Sequence, residues 1–147
     1  MAEMATKARA FRDFLDAKEI KAFVSETIEN DPEQATVFRS RVEVDGQALP
    51  LLVLLDRSIF SMIRVKISTK CKTEENELAV LQLAHDLLRQ YKPFKLYFDG
   101  EGSLILDICM ITPDEKAEEI GDMVYGMFNV MITFLNENYR TMMKTIW

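Results

Sequence analysis

The chain has 147 residues, 48% of them hydrophobic and 29% charged, with 5 Gly and 4 Pro, a balance that excludes disorder and collagen-like repetition and fits one globular domain spanning 1-147. The formal charge of −6 argues against a nucleic-acid-binding surface spread over the whole domain. The charged N-terminal residues lack the apolar core of a secretory signal, and no stretch reaches the ~20 apolar residues of a membrane span. With Cys71 and Cys109 far apart and without metal-ligand spacing, a reducing, cytoplasmic setting is expected.

In chain order, Phe11, Leu15, Ile20, Phe23, Val24 and Ile28 fall near one helical stripe, which predicts a first helix, or two, with Asp16 and Glu19 as a restarting capping box. Pro32 ends it. From Thr36 to Val44 the period changes to two. Asp45-Gly46 then signals a two-residue type I′ hairpin, which pairs Val44 with Gln47, Val42 with Leu49 and Phe38 with Val53. The second strand, Ala48 to Asp56, is apolar on both faces. A third strand alternates over Ile59 to Ser68.

Thr73 begins a second helix whose buried stripe is read as Leu78, Leu81, Ala84, Leu88 and Tyr91. A second hairpin follows, Phe94 to Phe98 and Leu104 to Met110, joined by Asp99-Gly100-Glu101-Gly102-Ser103. Thr112-Pro113-Asp114-Glu115 predicts a capped helix start with Pro113 at the first helical position. The stripe Ala117, Ile120, Val124, Phe128, Met131, Leu135 and Met142 continues almost to the C-terminus. Unbroken, about 34 residues would span ~50 Å against an expected domain diameter of ~38 Å. The helix is therefore expected to break near Asn136 or to project.

Catalytic chemistry is sparsely represented. There is no Walker loop, dinucleotide fingerprint or paired metal-ligand motif, so no catalytic residue, cofactor or metal is assigned. His85, the one histidine, is a general-base candidate without an orienting set in the nearby sequence. Cys71, between Lys70 and Lys72 before a helix, is the better candidate for a reactive thiol, and Cys109 reads as structural. A pocket between helix and sheet near His85 or Cys71 would serve a small ligand-binding protein or enzyme. Asp99 and Glu101 lack the ligand spacing of a calcium loop.

The more informative surface is the far side of the strands. The hairpin register places Val37, Arg39 and Arg41 on one face with Leu52 and Leu54, joined by Phe60, Met62, Arg64 and Lys66. An apolar centre with basic neighbours suits an acidic or amphipathic protein segment, unless a helix of the same chain covers it. Met123, Met127 and Met131 form a flexible ladder read as core, while Met142 and Met143 are candidate helix contacts for a partner.

The order α-β-β-β-α-β-β-α, the segment Ile20-Lys-Ala-Phe-Val, the Asp45-Gly46 hairpin and Lys95-Leu-Tyr-Phe-Asp-Gly-Glu-Gly-Ser-Leu-Ile-Leu resemble the YbjN family of bacterial sensory transduction regulators, within the type III secretion chaperone-like fold. That resemblance implies an α+β domain with an antiparallel sheet and helices mainly on one face. It further implies a small cytoplasmic bacterial protein, homodimeric, non-enzymatic, and chaperone-like or regulatory in binding other proteins.

Overall fold

The computed structural model describes residues 3–147. Helix α1 (Thr6–Ala17) is followed by strands β1 (Val24–Thr27), β2 (Thr36–Val44), β3 (Gln47–Leu55) and β4 (Phe60–Ser68), helix α2 (Glu77–Gln90), and strands β5 (Phe94–Phe98) and β6 (Leu104–Ile111). A 3-10 segment, Asp114–Glu119, then leads into helix α3 (Ile120–Ile146). The six strands form one antiparallel sheet in the order β1-β2-β3-β4-β6-β5. The architecture is α+β, and four strands, rather than the expected three, precede α2.

The added strand replaces the second half of the expected first helix. After Ala17 the Ile20 amide donates to the Leu15 carbonyl and the Glu19 amide to the Asp16 carbonyl, with Glu19 at φ 56°. This is a Schellman closure. It removes the restart expected from Asp16 and Glu19. The loop from β1 into β2 is held by Asp31, whose carboxylate accepts from the Glu33 and Ala35 amides.

The turn Asp45-Gly46 has φ of 51° and 78°, the left-handed pair that a type I′ loop needs. Its register is the expected one: Val44 opposite Gln47, Val42 opposite Leu49, Phe38 opposite Val53. The alternation sends Phe38, Val53, Ile63, Val65, Leu96, Leu106 and Ile108 to one face, where all are buried. The helices cover that face. Phe11 of α1 meets Phe38 edge-on with ring centroids 4.9 Å apart, and Phe134 of α3 lies 4.7 Å from Phe94. On α2 the buried residues are Val80, Ala84 and Leu87, whereas Leu78 and Leu81 are exposed. The buried stripe is therefore rotated about the helix axis from the expected one, keeping Ala84 but taking Val80 and Leu87 in place of Leu78 and Leu81, and the helix proper begins at Glu77 rather than Thr73. Thr73 and Asn76 instead close a turn by exchanging side-chain bonds with each other's amides.

The last helix also differs from expectation. Pro113 is extended, with φ −68° and ψ 155°, and stands just before the 3-10 segment rather than at the first helical position. Thr112 makes no side-chain cap, and its Oγ1 is buried without a partner. The 27 residues of α3 span about 40 Å, with no break at Asn136. The end does not project. Tyr139, Met142 and Ile146 are buried, and the Asn76 side-chain amide donates to the Ile146 carbonyl at 3.0 Å. Met142 is thus a core residue, not a free contact, and Met143 is half-buried against the same core.

Two features lock α1 in place. Lys7 is fully buried, and its ammonium donates to the Ser58 and Phe60 carbonyls, both at 2.8 Å, and to Ser61 Oγ at 3.1 Å. Burial lowers its pKa, opposed in part by Asp56 and Asp114. Gly121 is the second feature: a Cβ built there would fall within the Phe14 ring of α1. Gly121→Ala is expected to destabilise the fold by about 1–3 kcal/mol through overpacking, read as a lower midpoint in urea. An unchanged midpoint would mean that α1 and α3 are free to separate.

Candidate protein-binding face

The opposite face of the sheet carries no helix among the described residues. Register places its side chains in cross-strand rows. One row runs Val37, Leu54, Met62 and Cys109, with Phe60 and Ile111 paired beyond it. The next runs Val24, Arg39, Leu52, Arg64, Asp107 and Lys95. Rows two residues apart along a strand are about 7 Å apart. The face is therefore apolar at one end and charged toward the other.

At the apolar end Phe60 and Ile111 are exposed, 50% and 65%, and Leu54 and Met62 are half-buried. At the charged end lies a concavity of about 790 Å³, lined by residues that include Arg39, Arg41, Leu52, Arg64, Pro50 and Lys66. Ala22 and Val24 also border it. Four of the seven expected surface residues, Arg39, Arg41, Leu52 and Arg64, meet in this concavity. Leu54, Phe60 and Met62 form the apolar end.

The cations differ in their freedom. Arg39 pairs with Glu26 at 2.9 Å. Arg64 grips Asp107 with two bonds, Nε to Oδ1 at 2.8 Å and Nη2 to Oδ2 at 3.0 Å. Tyr97 completes a closed triangle: its hydroxyl donates to Asp107 Oδ2 at 2.7 Å and accepts from Arg64 Nη2 at 3.0 Å. Arg64 is held above its usual pKa, first by the Asp107 hydrogen bond. Burial, reinforced by Asp107, pushes the Tyr97 hydroxyl up to about 12. Arg41 and Lys66 have no ion-pair partner among the described residues.

Sequence reasoning missed Asp107 and Tyr97. Asp107 interrupts the apolar run of β6, and a carboxylate at a position paired with Arg64 is the signal that could have found it. His85 is exposed on α2, on the helical side, and lines neither this concavity nor the two smaller ones beside Tyr139. The two cysteines are reversed relative to expectation: Cys71 is buried and Cys109 exposed. Cys71 is enclosed because its amide donates to the Gly102 carbonyl and its thiol faces the Ser68 carbonyl. Among the described residues no cluster of three or more His, Cys, Asp or Glu could hold a metal ion. Among the same residues no helix is long and apolar enough to cross a membrane.

No protein-family model matches the chain, and no curated protein matches it at a significant level of similarity.

Two measurements test the triangle. Asp107→Ala leaves Arg64 and Tyr97 without their shared acceptor and is expected to cost about 1–3 kcal/mol, seen as a lower urea midpoint; a neutral effect would make the triangle incidental. Tyr97 has a higher pKa folded than the unfolded value of about 10, so its protonated form favours the fold. That contribution is complete below about pH 10 and is lost as pH rises toward 12. Stability measured across that interval should fall less steeply in Tyr97→Phe than in the parent.

Proposed function

We propose that the chain is a non-enzymatic protein-binding module that takes an acidic, partly apolar segment of another protein on the outer sheet face. The observation that carries this reading is the layout of that face: exposed Phe60 and Ile111 with Leu54 and Met62 at one end, and Arg41 and Lys66 without acidic partners at the other. A segment that follows the rows would place apolar side chains on the first end and carboxylates on the second. The apolar contact supplies the affinity, and the two cations set direction and attract the acidic partner during encounter. The chain's overall charge of −6 makes this local basic surface the place where such a partner is not repelled.

The reading extends to a chaperone-like or regulatory role in a bacterial cytoplasm, with self-association of the chain, as the resemblance of the two hairpin segments to the YbjN family implies, although four strands rather than three precede α2. A small-molecule or catalytic site at His85 or Cys71 has less support, because His85 lies on the helical side and Cys71 is enclosed.

The test uses synthetic peptides in which Leu and Phe precede a run of Asp and Glu. Saturable binding by fluorescence anisotropy is expected. It should weaken about ten-fold or more in a protein carrying Leu52→Ser with Lys66→Glu, since one apolar contact and a reversed charge are worth at least ~1.4 kcal/mol together. A peptide with Lys in place of the acids should not bind. Equal binding of both peptides, or indifference to the two substitutions, would overturn the assignment.

A further inference from the structure

The edge of β2 beyond β1 offers a second surface. In an antiparallel pair, hydrogen-bonded and non-hydrogen-bonded residue pairs alternate. A two-residue type I′ loop makes Val44 and Gln47 the first bonded pair, so Val42 with Leu49 and Ser40 with Leu51 follow in the same phase. The main-chain N–H and C=O groups of Arg41 and Glu43 therefore point away from β3. At Val37 and Arg39 the equivalent groups face β1, opposite Glu26 and Val24. That strand begins at Val24, and Phe23 before it packs against Phe11 and Phe128, with ring centroids 5.8 and 6.1 Å away. Neither Arg41 nor Glu43 makes a bond on the open side among the described residues, and both side chains are exposed and outside any ion pair.

We propose that this open edge pairs with the same edge of a second copy, antiparallel and centred on Val42, so that Arg41 of each protomer faces Glu43 of the other. Three conditions agree on that register. Arg41 and Glu43 are the residues whose main-chain groups are free, and an antiparallel pairing about Val42 makes them a hydrogen-bonded pair twice over. The same pairing sets opposite charges side by side on one face, which is favourable, whereas centring on Arg41 or Glu43 opposes like charges. Val42 itself meets its own copy on the helical side. The two-fold axis is perpendicular to the sheet, so both outer faces lie on the same side and the two concavities, each lined by Ser40 and Arg41, adjoin.

The proposal gives the self-association suggested above a surface and does not depend on what occupies the outer face. An edge this short makes an interface below the roughly 1,200 Å² of stable complexes, so the dimer is weak and fills at high micromolar concentration. Sedimentation velocity of the full chain, from low micromolar to near-millimolar concentration, should show a monomer–dimer equilibrium. Arg41→Glu alone and Glu43→Arg alone should each abolish it, with unchanged circular dichroism. Mixing the two variants in equal amounts should restore a dimer, because every facing pair is then opposite in charge. Amide exchange at Arg41 and Glu43 should slow as the parent protein is concentrated. A parent that stays monomeric throughout overturns the proposal while leaving the peptide-binding result untouched. Dimerisation that survives either single variant, or a mixture that stays monomeric, overturns it by assigning self-association to another surface.

Discussion

The pleat of β3 imposes the constraint on which the rest of the molecule depends. Leu49, Leu51, Val53 and Leu55 point to the helices and are buried, while Pro50, Leu52 and Leu54 point the other way. A strand apolar on both faces ordinarily lies between two covering layers. Here α1, α2 and α3 all pack on one side, where Phe11, Phe134 and Val80 join a continuous core with Phe38, Phe94 and Val53. The other set of apolar side chains is covered only by its neighbours in the sheet. Arg39 and Arg64 flank Leu52 in the cross-strand row, where the long stems of arginine can shield apolar surface while the charged ends stay in water.

That arrangement would be unstable to charge if the cations stood alone. Asp107 is nearly buried on the outer face, and burying a carboxylate without partners is costly. Arg64 and Tyr97 supply three bonds to it, so the acid becomes the fixed centre from which Arg64 is aimed. Arg39 is similarly tethered by Glu26, although in a more solvated setting where the pair contributes little energy. The consequence is a division of labour among like charges. Arg39 and Arg64 are structural members of the face, and Arg41 and Lys66 make no ion pair among the described residues.

How far this was legible in the sequence differs by element for physical reasons. The β2–β3 register could be read residue by residue, because the Asp45-Gly46 turn and the two-fold side-chain period each fix it independently. The inward stripe of α3 was equally readable from Ile120 to Met142. Strand β1 was not: Val24 is exposed, and Ile20, Phe23, Val24 and Ile28 imitate a helical spacing although they belong to a helix cap, a strand and a loop. Glu19 in the left-handed region carries no glycine to announce the end of α1. Lys7 was invisible for a different reason, since its acceptors at Ser58 and Phe60 are main-chain carbonyls more than fifty residues away. Within the candidate face, the cations and apolar residues could be placed by register, but their pairing could not, because Asp107 and Tyr97 arrive from strands that only the β4–β6 crossover brings alongside.

Phe23 connects the core to both proposed surfaces. Its ring is nearly parallel to that of Phe128, with 12° between the planes, and meets Phe11 edge-on, an arrangement that anchors the chain leaving α1 to the helical side. An extended chain continuing β1 backward would have set Ala22 and Phe23 beside Ser40 and Arg41 and sealed the edge of β2. Pairing with β2 starts instead at Val24, and Ala22 and Phe23 make no main-chain bond to β2 among the described residues. Ala22 and Val24 form one wall of the basic concavity, and the main-chain groups of Arg41 and Glu43 are left facing outward. Arg41 thus stands at the junction of face and edge, with its guanidinium on one and its peptide groups on the other. In an edge-paired dimer its charge is met by Glu43 of the second protomer, which leaves Lys66 as the unpaired cation of each groove and makes occupancy of the edge a means of tuning the charge presented on the face.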